Sequence, residues 1–202
     1  MKFRNVAAAI SLTLLVTACD REDRTGRPET ETTGSIQSEQ QTGSASATTT
    51  GVAGGTRSEM TNDDKEFVTM AGMGGLAEVQ MGNLALQKAS SAEVKAFAQR
   101  IVADHSKANA EIAQFATTKG LALATELGGD PKDALEHLTS LSGTEFDKAY
   151  MAHMVEDHEK DVAAFDKAST SATDADLKAW AGRTLPTLKE HLEMAKQTAR
   201  KV

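Results

Sequence analysis

The feature that most limits the fold of this chain is the spacing of its apolar residues from position 61 to the C-terminus. They recur every three to four residues, which is the period of an amphipathic α-helix and not of a strand. The composition agrees, because Ala, Leu, Glu, Lys and Met lose little side-chain freedom in a helix, whereas aromatic residues make up only 4% of the chain. We therefore predict an all-α domain over residues 61–202.

Capping and turn residues divide this domain into four long helices and one short helical piece. Asp63–Asp64 is predicted to cap the first helix, and Ser90–Ser91 to form the turn and cap before the second. The stretch 121–143 contains several Gly residues and a Pro, and it is long enough to cross the length of a bundle. The predicted helices cover residues 65–88, 92–119, 131–141, 144–168 and 174–200.

The two halves of the domain resemble each other. Ala92–Arg100 recurs as Ala175–Arg183 without a gap. Glu66–Phe67 recurs more sparsely as Glu145–Phe146, and Lys88–Ser90 as Lys167–Ser169, both 79 positions later. Two similar helical hairpins joined by a long crossover that contains a short helix predict a ferritin-like four-helix bundle.

The first predicted helix carries its large apolar residues among three closely spaced glycines. Gly72, Gly74 and Gly75 cost this helix roughly 2 to 3 kcal/mol relative to alanine. Two explanations remain open, namely close packing of a neighbouring helix or space for a ligand or for Tyr150. The residues that we expect to face the core are Phe67, Met70, Leu76, Val79, Leu84 and Leu86.

The N-terminus has the pattern of an export signal. Positively charged residues at 2–4 precede an apolar run of roughly a dozen residues and then small residues, a run too short to span ~30 Å of hydrocarbon comfortably. Val16–Cys19 resembles the lipobox of bacterial lipoproteins, which predicts a signal peptide at 1–18 and a lipid on Cys19. The alternative is an ordinary cleavage after Ala18 that leaves Cys19 as a stray thiol.

The next segment, residues 19–60, is rich in Thr, Ser and Gly and has almost no large apolar residue. Such a composition cannot offset the entropy of ordering, so we expect a disordered tether between the anchor and the domain. Together these features predict a lipid-anchored protein of the cell envelope that faces the periplasm, with the membrane as its partner. The net charge of -7 argues against binding of nucleic acid, which requires a positively charged surface. The sequence identifies no protein partner.

The most specific chemical hypothesis from the sequence concerns three histidines. His105, His158 and His191 each fall on the apolar stripe of a different predicted helix, near its middle, and Glu78 of the first helix comes to a similar height. Imidazoles and carboxylates from facing helices are how bundles hold transition metals. We therefore predict a metal site of Glu78, His105, His158 and His191.

Further polar residues flank this predicted site. Asp104 and Asp157 each precede a histidine, and the 79-residue offset places Glu78 opposite Asp157, so either carboxylate could orient an imidazole, with Tyr150 nearby. Two other interpretations remain open: a structural polar network across the helices, or partly exposed histidines with no role. His137, His153 and the acidic run 159–161 are interpreted as surface residues.

Several motifs of residues 62–197 resemble a bacterial family called domain of unknown function 4142. They are Phe67-Val68 with Glu78, Val102–Asn109, Glu145–Tyr150, Met154–His158, and Leu185-Pro186 followed by His191. The resemblance implies a ferritin-like fold and a location in the envelope. It implies no activity, because no activity is established for that family.

The chain departs from the iron-oxidising ferritins, which use Glu-x-x-His on two helices. The residues three positions before the histidines are Val102, Val155 and Leu188, so too few carboxylates remain for a di-iron centre. A single-ion site rich in His suits zinc or copper better than it suits a pair of iron ions. We therefore expect a binding or stress-related module with a possible transition metal and no catalytic residues. The alternatives are a structural or interaction bundle without cofactor and, disfavoured, a di-metal oxidoreductase.

Overall fold

The computed structural model of the protein describes residues 59–202, whose regular structure is entirely α-helical. The predicted signal peptide, the lipidation site Cys19 and nearly all of the predicted tether lie outside the described residues. Each predicted helix is present, with ends that differ by at most three residues from the prediction. The five helices are α1 (Asn62–Lys88), α2 (Ala92–Thr118), α3 (Gly129–Ser140), α4 (Gly143–Ser171) and α5 (Ala175–Ala199). Within residues 59–202, no helix has both the length and the apolar character needed to cross a bilayer.

The start of α1 differs from the prediction that Asp63–Asp64 caps it. Thr61 is the N-cap, because its hydroxyl accepts the Asp64 N–H at 3.1 Å while the Asp64 carboxylate accepts the Thr61 N–H at 3.1 Å. This reciprocal capping box satisfies two backbone donors that the first turn leaves free. Asp64 therefore lies inside the first turn of α1, where its negative charge interacts favourably with the positive end of the helix dipole.

The four long helices form two antiparallel pairs that pack side by side. α1 lies against α2 and α4 against α5, while α1 also contacts α4 and α2 contacts α5. Lys119, at the end of α2, forms a buried ion pair with Asp174, the N-cap of α5, so these two helices also run antiparallel. The crossover leaves α2 at Gly120, whose φ of 71° suits glycine, and reaches the far end of the assembly through α3.

Two buried aspartates join the hairpins. Asp64 of α1 accepts the N–H groups of Thr173 and Asp174 in the α4–α5 turn, at 3.1 and 3.3 Å. Asp147 of α4 accepts those of Ser90 and Ser91 in the α1–α2 turn, at 3.0 and 2.9 Å. Each hairpin thus completes the turn of the other.

These contacts correct the alignment of the two halves. Asp64 and Asp147 play the same role 83 positions apart, the same offset that relates Ala92–Arg100 to Ala175–Arg183. The 79-residue offset inferred for α1 and α4 is therefore wrong, because matches of two and three residues in Ala-rich helices coincide by chance. With the offset of 83, buried α1 residues fall on buried α4 residues: Val68 on Met151, Ala71 on Met154, Gly75 on His158 and Ala85 on Ala168.

The apolar core consists of two clusters at different heights. One surrounds Phe146 and Tyr150 near the α1–α2 turn, and the other surrounds Phe165 and Trp180 near the opposite turn. Among the six residues predicted to face the core in α1, Met70 is exposed and the other five are partly buried. Three of these five, Phe67, Leu84 and Leu86, pack against the clusters. The buried face of α1 consists mainly of smaller residues, and these are Val68, Ala71, Gly75, Ala77, Met81 and Ala85.

Close packing explains two of the three glycines of α1. A Cβ on Gly72 would lie 2.9 Å from the Leu123 side chain, and one on Gly75 would lie 1.9 Å from Asn109 Oδ1. Nothing lies within 4 Å of the corresponding position at Gly74. Gly72 therefore allows Leu123 of the crossover to pack against α1, and Gly75 allows Asn109 of α2 to do so. Neither glycine makes room for Tyr150.

The hydrogen bonds from the α1–α2 turn to Asp147 give a first prediction. Asp147→Ala should lower the free energy of unfolding by about 2 to 3 kcal/mol, because two turn N–H groups lose their acceptor. The exposed Asp166 on the same helix supplies the control, and Asp166→Ala should stay within about 0.5 kcal/mol of the parent. Urea unfolding followed by circular dichroism measures both variants. Equal unfolding curves for the two variants would contradict the assigned role of Asp147.

The glycines give a second prediction. Gly74→Ala should stabilise α1 by up to about 1 kcal/mol through helix propensity. Gly75→Ala should increase the stability of the protein by less than Gly74→Ala, or decrease it, because the added Cβ displaces the Asn109 side chain. In an Asn109→Ala background the two substitutions should have the same effect on the melting temperature. A Gly75→Ala variant that is as stable as Gly74→Ala in the parent background would rule out the proposed contact.

Candidate metal centre

A layer of polar side chains separates the two apolar clusters. Each long helix contributes one residue: Glu78 from α1, His105 from α2, His158 from α4 and His191 from α5. All four are buried, with exposed fractions between 0% and 5%. The structure therefore brings together the four residues named from the sequence, because each lies near the middle of a helix whose register is set by its turn.

The three imidazoles form a compact triangle. Their ring centroids are 5.5 Å apart for His105 and His158, 5.2 Å for His105 and His191, and 5.4 Å for His158 and His191. One ring nitrogen from each histidine lies within 4.8 Å of the others. Among the described residues, this is the group whose donor atoms are close enough together to hold a metal ion.

Glu78 reaches two of these rings. Its Oε2 lies 2.7 Å from His105 Nδ1, and its Oε1 lies 3.3 Å from His158 Nδ1. Neither contact has the direction of a hydrogen bond, so both carboxyl oxygens lack a hydrogen-bond partner within the protein. Burial, followed by the charge of Asp157, raises the pKa of Glu78 well above its ordinary value.

Backbone and carboxylate acceptors fix the orientation of two imidazoles. His158 Nδ1 lies 2.9 Å from the carbonyl oxygen of Met154, which can only accept, so this nitrogen carries the proton. His191 Nε2 lies 2.9 Å from Asp104 Oδ2 and donates to that carboxylate. The other ring nitrogens, His158 Nε2 and His191 Nδ1, are therefore unprotonated, and each carries a lone pair that can bind a metal.

Asp104 connects the buried layer to the surface. Its side chain is 28% exposed and is held by the guanidinium of Arg100 one turn earlier on α2. Burial raises the pKa of Asp104, but the hydrogen bonds from His191 and Arg100 outweigh this effect and lower it below its ordinary value. Asp104 thus occupies the predicted position of a carboxylate that orients an imidazole.

Three buried imidazole nitrogens have no partner within the protein: His105 Nε2, His158 Nε2 and His191 Nδ1. Burial lowers the pKa of all three histidines, and for His158, where positive charge on the neighbouring rings adds to burial, the pKa falls to about 3. The rings are therefore neutral near pH 7, which is the state in which imidazole coordinates a metal.

The remaining polar residues named from the sequence lie at different distances from this layer. Tyr150 is fully buried beside Phe97, and its hydroxyl has no partner; burial and the nearby Glu78 raise its pKa. Asp157 is half-buried, and no hydrogen bond or ion pair of the described residues joins it to an imidazole. His137 is exposed as predicted, whereas His153 is half-buried.

Sequence reasoning missed Asp161, which it assigned to a solvated surface. Asp161 is partly exposed but lines a cavity of about 30 Å³ together with Glu78, His105 and His191. Burial, followed by the charges of Glu78 and Asp157, raises the pKa of Asp161 well above its ordinary value. Its spacing of three residues from His158, which places both on one helix face, was the signal that could have identified it.

Asn109 was also missed. It lies four residues after His105 on α2, packs against Gly75 and lines the same cavity. The cavity is large enough for one or two water molecules, and its remaining walls are largely apolar.

Solved structures share the fold of this domain at low sequence identity. A crystal structure of a DUF305 fragment from Deinococcus radiodurans matches 71% of this chain and 99% of its own, with a TM-score of 0.63 and 10% identity. CopM in its Cu(I)-bound form matches 68% of this chain and 96% of its own, with a TM-score of 0.58 and 20% identity. The Cu(II)-bound form of CopM covers the same shares, with a TM-score of 0.55 and 18% identity.

The sequence itself identifies the family. Among curated proteins, none has a sequence that matches this chain. A family model matches residues 49–198, which include α1, α2, α4, all but the last residue of α5, and every residue of the polar layer. The resemblance inferred from the motifs is thereby confirmed, and the chain belongs to the family described as Domain of unknown function (DUF4142).

Proposed function

We propose that this domain binds one transition-metal ion through one ring nitrogen each of His105, His158 and His191, with the Glu78 carboxylate beside the His105 and His158 rings. The observation that carries this proposal is a set of three buried rings, each with a nitrogen that has no partner and each with one nitrogen within 4.8 Å of the others. An unpaired buried polar atom costs about 1 to 3 kcal/mol, and a metal ion would satisfy all three nitrogens at once.

The geometry suits a small ion after a modest contraction. Tetrahedral coordination with bonds of about 2.0 to 2.1 Å separates two nitrogen ligands by about 3.4 Å. The histidine nitrogens lie within 4.8 Å of one another, so the rings would close by up to about 1.4 Å on binding. Three imidazoles suit zinc or copper, and the copper-bound states of CopM, a protein of similar fold, support a metal of this class.

The proposed role is that of a binding module in a ferritin-like four-helix bundle, not of an enzyme. The antiparallel pairs, the long crossover and the polar layer at mid-height are the features that support this architecture. A di-metal oxidoreductase is disfavoured, because the Glu-x-x-His pairs are missing and Asp104 is already held by Arg100.

The proposed location is the cell envelope, on the periplasmic side. A signal peptide at 1–18, a lipid on Cys19 and a tether at 19–60 would attach the domain at 61–202 to a membrane, because acyl chains contribute ~0.8 kcal/mol per buried CH₂. The acidic balance of the chain, with a net charge of -7, argues against adhesion to anionic lipid by charge alone.

The alternative is a structural or protein-interaction bundle that binds no cofactor. The proximity of Glu78 to His105 and His158 favours it, since a protonated carboxyl between two rings could form a network of hydrogen bonds after small side-chain rotations. In that case the polar layer would specify helix register and nothing more.

Metal binding gives a third prediction. The purified full chain, without an affinity tag, should bind one zinc or copper ion and should melt at a higher temperature with it. A stabilisation of about 2.7 kcal/mol is expected at one hundred times the dissociation constant. His105→Gln should lose the bound metal, whereas His137→Gln, which removes an exposed imidazole, should keep it. Metal analysis and calorimetry measure both effects.

Two results would contradict metal binding. One is a chain whose melting temperature is unchanged by zinc, copper and iron, which leaves the structural alternative. The other is equal metal content in the His105→Gln and His137→Gln variants, which would place the metal elsewhere.

Lipidation gives a fourth prediction. Radiolabelled fatty acid should be incorporated into the parent chain and not into Cys19→Ala, because Cys19 is the single cysteine. The labelled chain should partition with membranes. An unlabelled parent chain would overturn the proposed anchor while leaving the metal proposal intact.

A further inference from the structure

Asp161 lies where the polar layer meets the cavity. It follows His158 by three residues, so it projects from the same face of α4, and it lines the cavity beside Glu78 and His105. The unpartnered Glu78 oxygens and the free nitrogens of His105 and His191 belong to residues that line this same cavity. Asp161 therefore borders a cavity whose other lining residues carry unpartnered polar atoms.

The two halves of the domain place a carboxyl at the same position. With the offset of 83 that relates Asp64 to Asp147, Glu78 of α1 corresponds to Asp161 of α4. The two helices are antiparallel neighbours, and both residues line one cavity. Each hairpin therefore supplies one carboxyl to the polar layer.

We infer that Asp161 is the second carboxylate of the metal site, opposite Glu78, and that the site is built for a divalent and not a monovalent ion. This inference rests on the proposed function.

The donor atoms point to the same class of ion. Soft sulfur ligands select Cu(I), whereas imidazole and carboxylate suit Zn(II) and Cu(II). Residues 59–202 contain no cysteine, and no methionine lines the described cavity. The cavity of about 30 Å³ leaves room for an ion with at most a water molecule, which excludes a larger organic cofactor.

The test compares affinities of the full chain for Zn(II) and, under anaerobic conditions, for Cu(I), each against a chromophoric chelator. Asp161→Asn should weaken Zn(II) binding by ten- to a hundredfold and Cu(I) binding by less than threefold. Asp161→Glu should recover most of the Zn(II) affinity. Asp166→Asn removes the same charge from an exposed site on α4 and should leave both affinities unchanged. Melting curves confirm that each variant is folded.

The outcomes separate this inference from the proposed function. If the parent chain binds no metal, the proposed function fails and the inference fails with it. If the parent binds Zn(II) and Asp161→Asn binds it equally well, only the inference fails. A larger loss in Asp157→Asn than in Asp161→Asn would also overturn it, because that result would restore the 79-residue alignment. Equal losses of Zn(II) and Cu(I) affinity in Asp161→Asn would overturn the assignment to divalent ions.

Discussion

Burial of one carboxyl and three imidazoles at a single level is the constraint around which this helical core is arranged. Each unpartnered polar atom of that layer costs about 1 to 3 kcal/mol, and apolar packing must offset it. The two clusters around Phe146 and Phe165, on either side of the layer, supply that packing. They also exclude water, which keeps the histidines neutral and their free nitrogens available.

The scaffold is nearly symmetric, but the donor set is not. At the offset of 83, His158 corresponds to Gly75, His105 to Leu188 and His191 to Ala108, whereas Glu78 corresponds to Asp161. None of the three residues that correspond to a histidine offers a side-chain donor, because Gly75 packs against Asn109 and both Leu188 and Ala108 are apolar. A repeated hairpin thus produces one asymmetric cluster instead of two half-sites.

The sequence predicted the helices and the height of the histidines, because turn residues such as Ser91 set each helix register and an imidazole on an apolar stripe is easily seen. It failed for Met70, because the fully buried face of α1 consists mainly of smaller residues and leaves this side chain exposed. It failed for Asp161, because this residue stands in a run of charged residues that is typical of a solvated helix face, and because short matches suggested an offset that paired Glu78 with Asp157. The acceptor of the His158 proton was also unpredictable, since Met154 uses its backbone carbonyl and not its side chain.

The exchange of aspartates between the hairpins has a consequence for the integrity of the domain. Because Asp64 and Asp147 each supply the acceptor that the opposite turn needs, one hairpin separated from the other would expose amide groups that it cannot satisfy itself. Two copies of the first hairpin carry both elements of the exchange, so they would satisfy each other as a swapped dimer.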